Sequence, residues 1–215
     1  MKRFSLFLLA FVLAMSLAAA HQPRLVFDRM SSADAPFRIS NPEVSQAFYG
    51  ELRGMPDYYL IDSENFNLYL NILSPADIKS ERKDFSVTVN GEILLNGTNI
   101  TWVKFFEPFA GDNYWKGPEI EMQASGRYLI KVSNPDNMGK YSLAVGKIES
   151  FPINEDVKTI FALPRLKIFF EKSPFTAYFN ILGLFLFGAI AVIITLALII
   201  RLISRSHVFD SKVLK

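Results

Sequence analysis

The sequence predicts an all-β fold, an antiparallel β-sandwich of the jelly-roll type, followed by one C-terminal transmembrane helix. Short runs of alternating apolar and polar residues, the period of a half-buried strand, recur between residues 25 and 147. Turn-forming residues separate these runs and no helical period lies between them, as in sandwiches of two sheets. A stretch of 23 residues without a charge, from Tyr178 to Ile200, then follows and is long enough to cross a bilayer of about 30 Å.

Residues 1–20 are predicted to form a secretory signal peptide. Lys2 and Arg3 precede an apolar stretch and a small-residue cleavage site that ends at Ala20. An uncleaved membrane anchor is the alternative, but the apolar stretch is short for a span. Cleavage after Ala20 would leave His21 as the mature N-terminus.

Residues 21–150 are predicted to form the sandwich as an ectodomain of eight or nine strands. The predicted strands are residues 25–27, 44–52, 57–61, 66–73, 85–89, 92–95, 100–106, 127–132 and 141–145. The pair Asn90-Gly91 predicts a type I′ turn between two of them, and residues 62–65 a polar turn between two others. The sequence contains no cysteine, so burial of a core must hold this domain together.

The stretch from Gly126 to Lys147 is predicted to be an antiparallel hairpin. Tyr128, Ile130 and Val132 share one face of the first run, and the second run alternates in the same way. The turn formers of residues 134–139 lie between the two runs.

The charge of the chain is distributed unevenly. The net charge is +2, but residues 21–175 contain 17 Lys and Arg against 20 Asp and Glu. The positive residues that produce the surplus lie beside the apolar segments at the two ends of the chain, a distribution that is typical of proteins with a signal peptide or a membrane span. We therefore predict no nucleic-acid partner.

Residues 151–176 are predicted to form an amphipathic juxtamembrane segment. Asn154 is a suitable helix cap with acidic residues after it, and Pro164 is expected to interrupt the helix. The segment is expected to lie against lipid headgroups or against the sandwich. A helical stalk without lipid contact is the alternative.

Residues 177–200 are predicted to be the transmembrane helix, and residues 201–215 a basic cytoplasmic tail. Arg201 and Arg205 stop the apolar stretch on the inner side. The predicted protein is therefore a single-pass protein of the cell membrane, with its N-terminal domain outside the cytoplasm.

Two passages carry a resemblance to a known family. One runs from Gly50-Glu51-Leu52 to Asp57-Tyr58-Tyr59 and is followed by the alternating strand 66–72; the other combines residues 125–132 with residues 139–145. With them, residues 44–147 resemble the bacterial pre-peptidase C-terminal domain, a small β-sandwich appended to secreted proteins. The resemblance implies this fold and a non-catalytic accessory role. The chain departs from the family at the basic residues 79–83, where the family has an Asp-rich strand, and in its long loop 107–118. The whole chain also looks like a single-span prokaryotic membrane protein.

The loop of residues 107–119 is a candidate binding surface for a ligand or partner. It combines aromatic and carboxylate side chains, which can form a stacking platform or a cation site. Its candidate residues are Phe109, Asp112, Tyr114, Trp115 and Glu119. The favoured interpretation, however, is that the aromatic residues cover the open end of the sandwich.

His21 is a candidate metal ligand because an N-terminal histidine can chelate copper through its amine and its ring. The second histidine of the chain, His207, lies in the predicted cytoplasmic tail. No cysteine and no Gly-x-Ser-x-Gly motif is present to support hydrolytic chemistry. We predict no cofactor and no enzymatic activity.

The sequence thus predicts a non-enzymatic, membrane-anchored binding or accessory module for a protein partner in the envelope or an extracellular ligand. A copper-binding protein that uses His21 and a structural subunit of a membrane complex are the alternatives. Oligomeric state and ligand identity are left open.

Overall fold

The computed structural model describes residues 21–76, 78, 81–107, 110–150 and 152–213, so the predicted signal peptide lies outside the described residues. Nine strands occur among them: β1 (Gln22–Leu25), β2 (Phe37–Arg38), β3 (Gln46–Arg53), β4 (Asp57–Pro75), β5 (Ser86–Val89), β6 (Glu92–Leu95), β7 (Val103–Glu107), β8 (Asp112–Ser133) and β9 (Met138–Val145). The helix α1 (Ile153–Phe169), a 3₁₀ helix (Pro174–Tyr178) and the helix α2 (Ile181–Val213) follow.

The two longest strands, β4 and β8, organise a two-layered sandwich. They pair antiparallel, and their register is interrupted between Ser63 and Phe66, opposite Gly126, where the pair bends. The first half of β4 and the second half of β8 carry β2, β5 and β6 and form the first layer. The other halves carry β7, β9, β3 and β1 and form the second layer. The predicted β-sandwich is confirmed.

The alternating apolar residues fill the space between the layers. Leu68, Leu70 and Ile72 of β4 are fully buried, as their shared face predicts. Contacts across the layers include Phe48 of β3, whose ring centroid lies 5.4 Å from that of Tyr59. The Asn90-Gly91 turn also has the positive φ angles, 48° and 92°, of the predicted type I′ turn.

Two strand pairs are parallel, so the prediction of a wholly antiparallel sandwich is wrong. The edge strand β1 runs parallel to β3, and the edge strand β2 runs parallel to the start of β4. The chain between β1 and β2 passes from the second layer to the first. The alternation of a strand predicts its two faces but does not determine the direction of its neighbour.

The predicted hairpin of residues 126–147 is also wrong, because its two strands do not pair with each other. β8 ends beside β5 in the first layer, whereas β9 lies between β3 and β4 in the second. Asn134 holds the connecting turn, since its side chain bonds the backbone N–H and C=O of Met138 over 3.1 and 2.8 Å. Both strands direct their alternating apolar faces into the core from opposite sides.

The predicted loop of residues 107–118 is mostly strand. β7 ends at Glu107 and β8 begins at Asp112, so only residues 108–111 connect them. The predicted turn of residues 62–65 likewise lies inside β4, at its register irregularity.

Helix α1 packs against the outer face of the second layer. Its buried side chains include Leu163, Leu166 and Phe169, which pack with the cap residue Phe170 against Ala47, Tyr49, Tyr114 and Ala144 of the sheet. The cap residue is Pro152 instead of the predicted Asn154, and Pro164 lies inside the helix without interrupting it. The segment therefore covers the sandwich with one face.

The 3₁₀ helix runs back along α1, because the Tyr178 hydroxyl donates a hydrogen bond to the Ile160 carbonyl oxygen over 3.0 Å. Asn180 caps α2, since its Oδ1 accepts a hydrogen bond from the Gly183 backbone N–H. Within the part of the chain that the structure describes, no helix qualifies by length and apolar character as a membrane span. The span of residues 177–200 stays a prediction.

Candidate functional site

The predicted binding residues of the β7–β8 connection are largely occupied by packing. Asp112 and Tyr114 are buried beneath α1, and the Tyr114 ring lies edge-on to Phe170 with 5.6 Å between centroids. Phe109 lies outside the described residues. The structure thus places Asp112 and Tyr114 inside the protein, between the sheet and the helix.

Asp112 holds a buried ionic cluster that we call the junction, formed with Ala110, Lys167, Lys172 and Asn180. The Asp112 carboxylate accepts hydrogen bonds from Lys167 Nζ over 2.7 Å and from Lys172 Nζ over 2.8 Å. The Ala110 carbonyl oxygen accepts from Lys167 Nζ over 2.6 Å and from Asn180 Nδ2 over 2.9 Å. These bonds join the β7–β8 turn to α1 and to the start of α2, so the role of Asp112 is structural.

Trp115 and Glu119 are more accessible but already have partners. The Trp115 ring has Lys104 Nζ at 5.1 Å and the Arg82 guanidinium at 5.9 Å from its centroid. The Glu119 carboxylate accepts a hydrogen bond from the Tyr69 hydroxyl over 2.7 Å, and this bond, with Lys116 beside it, lowers the pKa of Glu119. The four predicted residues that the structure describes therefore do not converge on one surface.

His21 lies at the start of β1, where its Nδ1 is 2.5 Å from the Ser45 hydroxyl. This ring nitrogen is the one that an N-terminal copper chelate would use. Among the described residues, no group of three or more His, Asp or Glu side chains is arranged to hold a metal ion.

The two passages that carry the family resemblance meet in a buried polar cluster of the core. The Tyr141 hydroxyl donates to the Asp57 carboxylate over 2.7 Å and lies 2.7 Å from the Tyr59 hydroxyl. Burial raises the pKa of both tyrosines well above the usual value, so both hydroxyls stay protonated. Gly50 makes this approach possible, because a Cβ there would lie 2.4 Å from the Tyr141 hydroxyl oxygen. The polar cluster therefore links the two layers.

The side of the sandwich where the two edge strands meet is open. Three adjoining cavities of about 560, 450 and 400 Å³ lie there, and Arg38 of β2 lines all of them. The cavity of about 450 Å³ lies between β1 and β2, and we call it the arginine cavity. Its lining comprises Pro23, Arg24, Leu25, Val26, Arg29, Pro36, Phe37, Arg38 and Phe48.

The arginine cavity has an apolar floor and an excess of positive charge. Val26, Phe37 and Phe48 are buried, and the lining contains three arginines and no carboxylate. Arg24 is paired with Glu155 of α1. Among the described residues, Arg29 and Arg38 form no ion pair, although Arg29 lies over the Phe37 ring at 5.2 Å.

This arrangement suits the binding of a carboxylate. A guanidinium group presents parallel N–H donors that match the two oxygens of a carboxylate, and an apolar floor limits the competing hydration. Sequence analysis missed the cavity because Arg29 and Arg38 lie in different segments, with no shared pattern. In the fold they line one cavity, where Arg29 lies over the ring of Phe37, the residue next to Arg38.

Comparisons with known proteins give little further information. No protein-family profile matches the chain, and no curated protein matches it significantly. Among solved structures, it is similar to the pre-peptidase C-terminal domain of a Bacillus anthracis collagenase, with 14% identity over 55% of this chain and 96% of that domain and a TM-score of 0.29. It is also similar to PliG, a periplasmic inhibitor of g-type lysozyme from Aeromonas hydrophila, with 16% identity over 59% and 98% of the chains and a TM-score of 0.31. A β-glucosidase from Paenibacillus barengoltzii matches with 15% identity over 58% of this chain and 13% of that chain, with a TM-score of 0.27. Scores this low carry no argument about function.

Proposed function

We propose that this chain is a membrane-anchored, non-enzymatic binding module whose sandwich lies outside the cytoplasm and binds an acidic, extended segment of a protein partner. The observation that carries the proposal is the arginine cavity, where two guanidinium groups that have no carboxylate partner among the described residues share an apolar floor. Unpaired arginines beside buried aromatic side chains are typical of surfaces that recognise acidic partners.

An extended partner is favoured because the cavity lies between two edge strands. β1 and β2 each pair with a neighbour on one side only, so a further strand has room to lie alongside either edge. A segment that alternates acidic and apolar residues would direct carboxylates to Arg29 and Arg38 and apolar side chains to the floor.

Anchoring is supported by the sequence of α2. The 23 residues from Tyr178 to Ile200 carry no charge, and Arg201 and Arg205 follow them. In the structure most of this stretch lies in one continuous helix that starts at Ile181, and Leu184, Ile193 and Ile194 are exposed apolar side chains on it.

The binding proposal is tested with the full-length chain in detergent micelles and a labelled, end-blocked peptide of three Glu-Val repeats. Arg29→Gln and Arg38→Gln are each expected to weaken binding by about tenfold or more, equal to about 1.4 kcal/mol, measured by fluorescence anisotropy. Arg53→Gln is the matched control, because Arg53 is exposed and already paired with Glu51. Equal binding of all variants, or of a Lys-Val peptide, would refute the proposal.

Anchoring is tested separately by alkaline carbonate extraction of cell membranes. The full-length chain is expected to stay in the membrane pellet, whereas the double variant Ile190→Lys and Ile194→Lys is expected to be extracted, because a lysine at the centre of a span costs about 2.5–3.5 kcal/mol. Extraction of the unmodified chain would contradict anchoring and leave the binding test unaffected.

A further inference from the structure

Four large apolar side chains are strongly exposed around the start of α2. The exposed fractions are 73% for Phe161, 61% for Ile168, 80% for Phe175 and 81% for Phe179. We call these four residues the collar. A soluble surface seldom exposes several large apolar groups so close to one another.

The collar residues are held together by the 3₁₀ helix. Phe175 and Phe179 lie on either side of Ala177, which is fully buried against the protein. The hydrogen bond from Tyr178 to the carbonyl oxygen of Ile160 places Phe161 beside the same turn. Phe161, Phe175 and Phe179 therefore lie at the turn that leads into α2, and Ile168 lies about two turns along α1 from Phe161, on the same face.

The exposed face of α1 has the composition of a helix at a lipid–water interface. Its exposed positions include the apolar Val157, Phe161 and Ile168 and the basic Lys158 and Arg165, which form exposed ion pairs with Glu155 and Asp28. Apolar residues flanked by basic ones bind the headgroup region of a bilayer, where the former enter the acyl boundary and the latter meet phosphates. The opposite face of α1 is already buried on the sandwich.

We infer that the collar docks the sandwich onto the outer surface of the membrane, with Phe161, Ile168, Phe175 and Phe179 in the lipid interface and Lys158 and Arg165 at the headgroup phosphates. The inference rests on the proposed anchoring, because the collar borders the helix that would enter the bilayer. It adds a second contact with lipid, which holds the sandwich in one orientation.

The absence of native cysteines allows a direct test with single-cysteine variants. Full-length chains with a cysteine at Phe161, Ile168, Phe175 or Phe179 are labelled with a fluorophore and reconstituted, one chain per disc, in nanodiscs of phosphatidylcholine and phosphatidylglycerol. Quenching by lipids brominated near the headgroup is compared with quenching by aqueous iodide. Ile93 is the control site, because it is 60% exposed and follows the turn at Asn90, whose side chain bonds Arg127, fifteen residues along β8 from Asp112.

The collar labels are expected to be quenched by brominated lipid and to be at least about threefold less sensitive to iodide than the Ile93 label. Collar labels that behave like the Ile93 label would overturn the inference, as would labels protected from both quenchers, which would indicate a protein cover. A label at Ile194, tested with lipids brominated deep in the acyl chain, distinguishes the causes: lipid quenching there with a water-exposed collar removes the docking alone. Absence of lipid quenching at Ile194 removes the anchoring as well.

Discussion

Replacement of Asp112 by asparagine is expected to destabilise the sandwich strongly. The side chains of Asp112 and Lys167 are 1% and 2% exposed, and their charged atoms are 2.7 Å apart. The asparagine keeps the volume and one acceptor, but it leaves the Lys167 ammonium buried without the charge of Asp112. Removal of one partner from a buried ion pair costs about 3–5 kcal/mol, which is the expected decrease in the free energy of unfolding.

Lys172 changes this value little. Its side chain is 23% exposed, so its ammonium can turn towards water when Asp112 loses its charge. A partly exposed pair of this kind contributes about 1 kcal/mol or less. The effect of the substitution is therefore dominated by Lys167.

Urea unfolding of the full-length chain in detergent micelles measures this effect. The two tryptophans, Trp102 and Trp115, both pack on the core of the sandwich, so their fluorescence reports its unfolding and not that of α2. The midpoint is expected to decrease while the slope against urea stays unchanged, because the surface exposed on unfolding is the same.

A double-mutant cycle separates the ion pair from a general packing defect. Combining Asp112→Leu with Lys167→Met replaces both charges by apolar groups and is expected to recover most of the stability lost in either single variant. Glu51→Gln, which breaks the exposed pair with Arg53, is the control and should cost less than about 1 kcal/mol. A loss below about 1.5 kcal/mol for Asp112→Asn would refute the reasoning, since the buried pair would then behave like an exposed one.

Two further predictions concern the core cluster and the sheet beneath α1. Burial raises the pKa of the Asp57 carboxyl in the folded protein. The contribution of this shift to the free energy of unfolding is fully present below the unfolded pKa of about 3.9 and is lost as the pH rises through the folded pKa. The stability of wild type relative to Asp57→Asn should therefore decrease in urea titrations as the pH rises above about 4, and a constant difference would contradict the assignment. Tyr114→Ala should lower the free energy of unfolding by about 3–5 kcal/mol in the same assay, because the ring is buried against Phe170. The exposed Glu119→Gln is its control; equal effects of these two substitutions would argue against the packing role of Tyr114.

The period of two residues was enough to predict most strand positions. It succeeds at residues such as Leu68, Leu70 and Ile72 because burial of one face requires alternation whatever the neighbouring strand is. It fails for the stretch from Gly126 to Lys147, because two consecutive strands that face each other from different layers alternate in the same way as two strands that pair in a hairpin. Which strand becomes a neighbour is decided by packing of residues that are far apart in the chain.

The candidate site was harder to predict for the same reason. The residue types around Asp112 and Tyr114 suggested a binding loop, but the lysine that neutralises Asp112 lies 55 positions further along, in α1. The positive charge of the arginine cavity arises when the edge strands of two layers meet. The local composition therefore indicated which chemical groups are present, but not whether each group faces solvent or a partner inside the protein.

The arginine cavity and α2 are connected through α1 without a flexible linker. Arg24 of the cavity is hydrogen-bonded to Glu155, and the rings of Phe27 and Phe169 stack with centroids 4.4 Å apart, so the cavity wall is fixed to both ends of α1. The 3₁₀ helix and the junction then fix α1 to the first residues of α2. A flexible tether would let the cavity move freely relative to α2, whereas this arrangement fixes the cavity relative to the first residues of α2. If α2 spans the membrane, the acidic partner must present its segment close to the bilayer, which favours a partner that is itself bound to the same membrane.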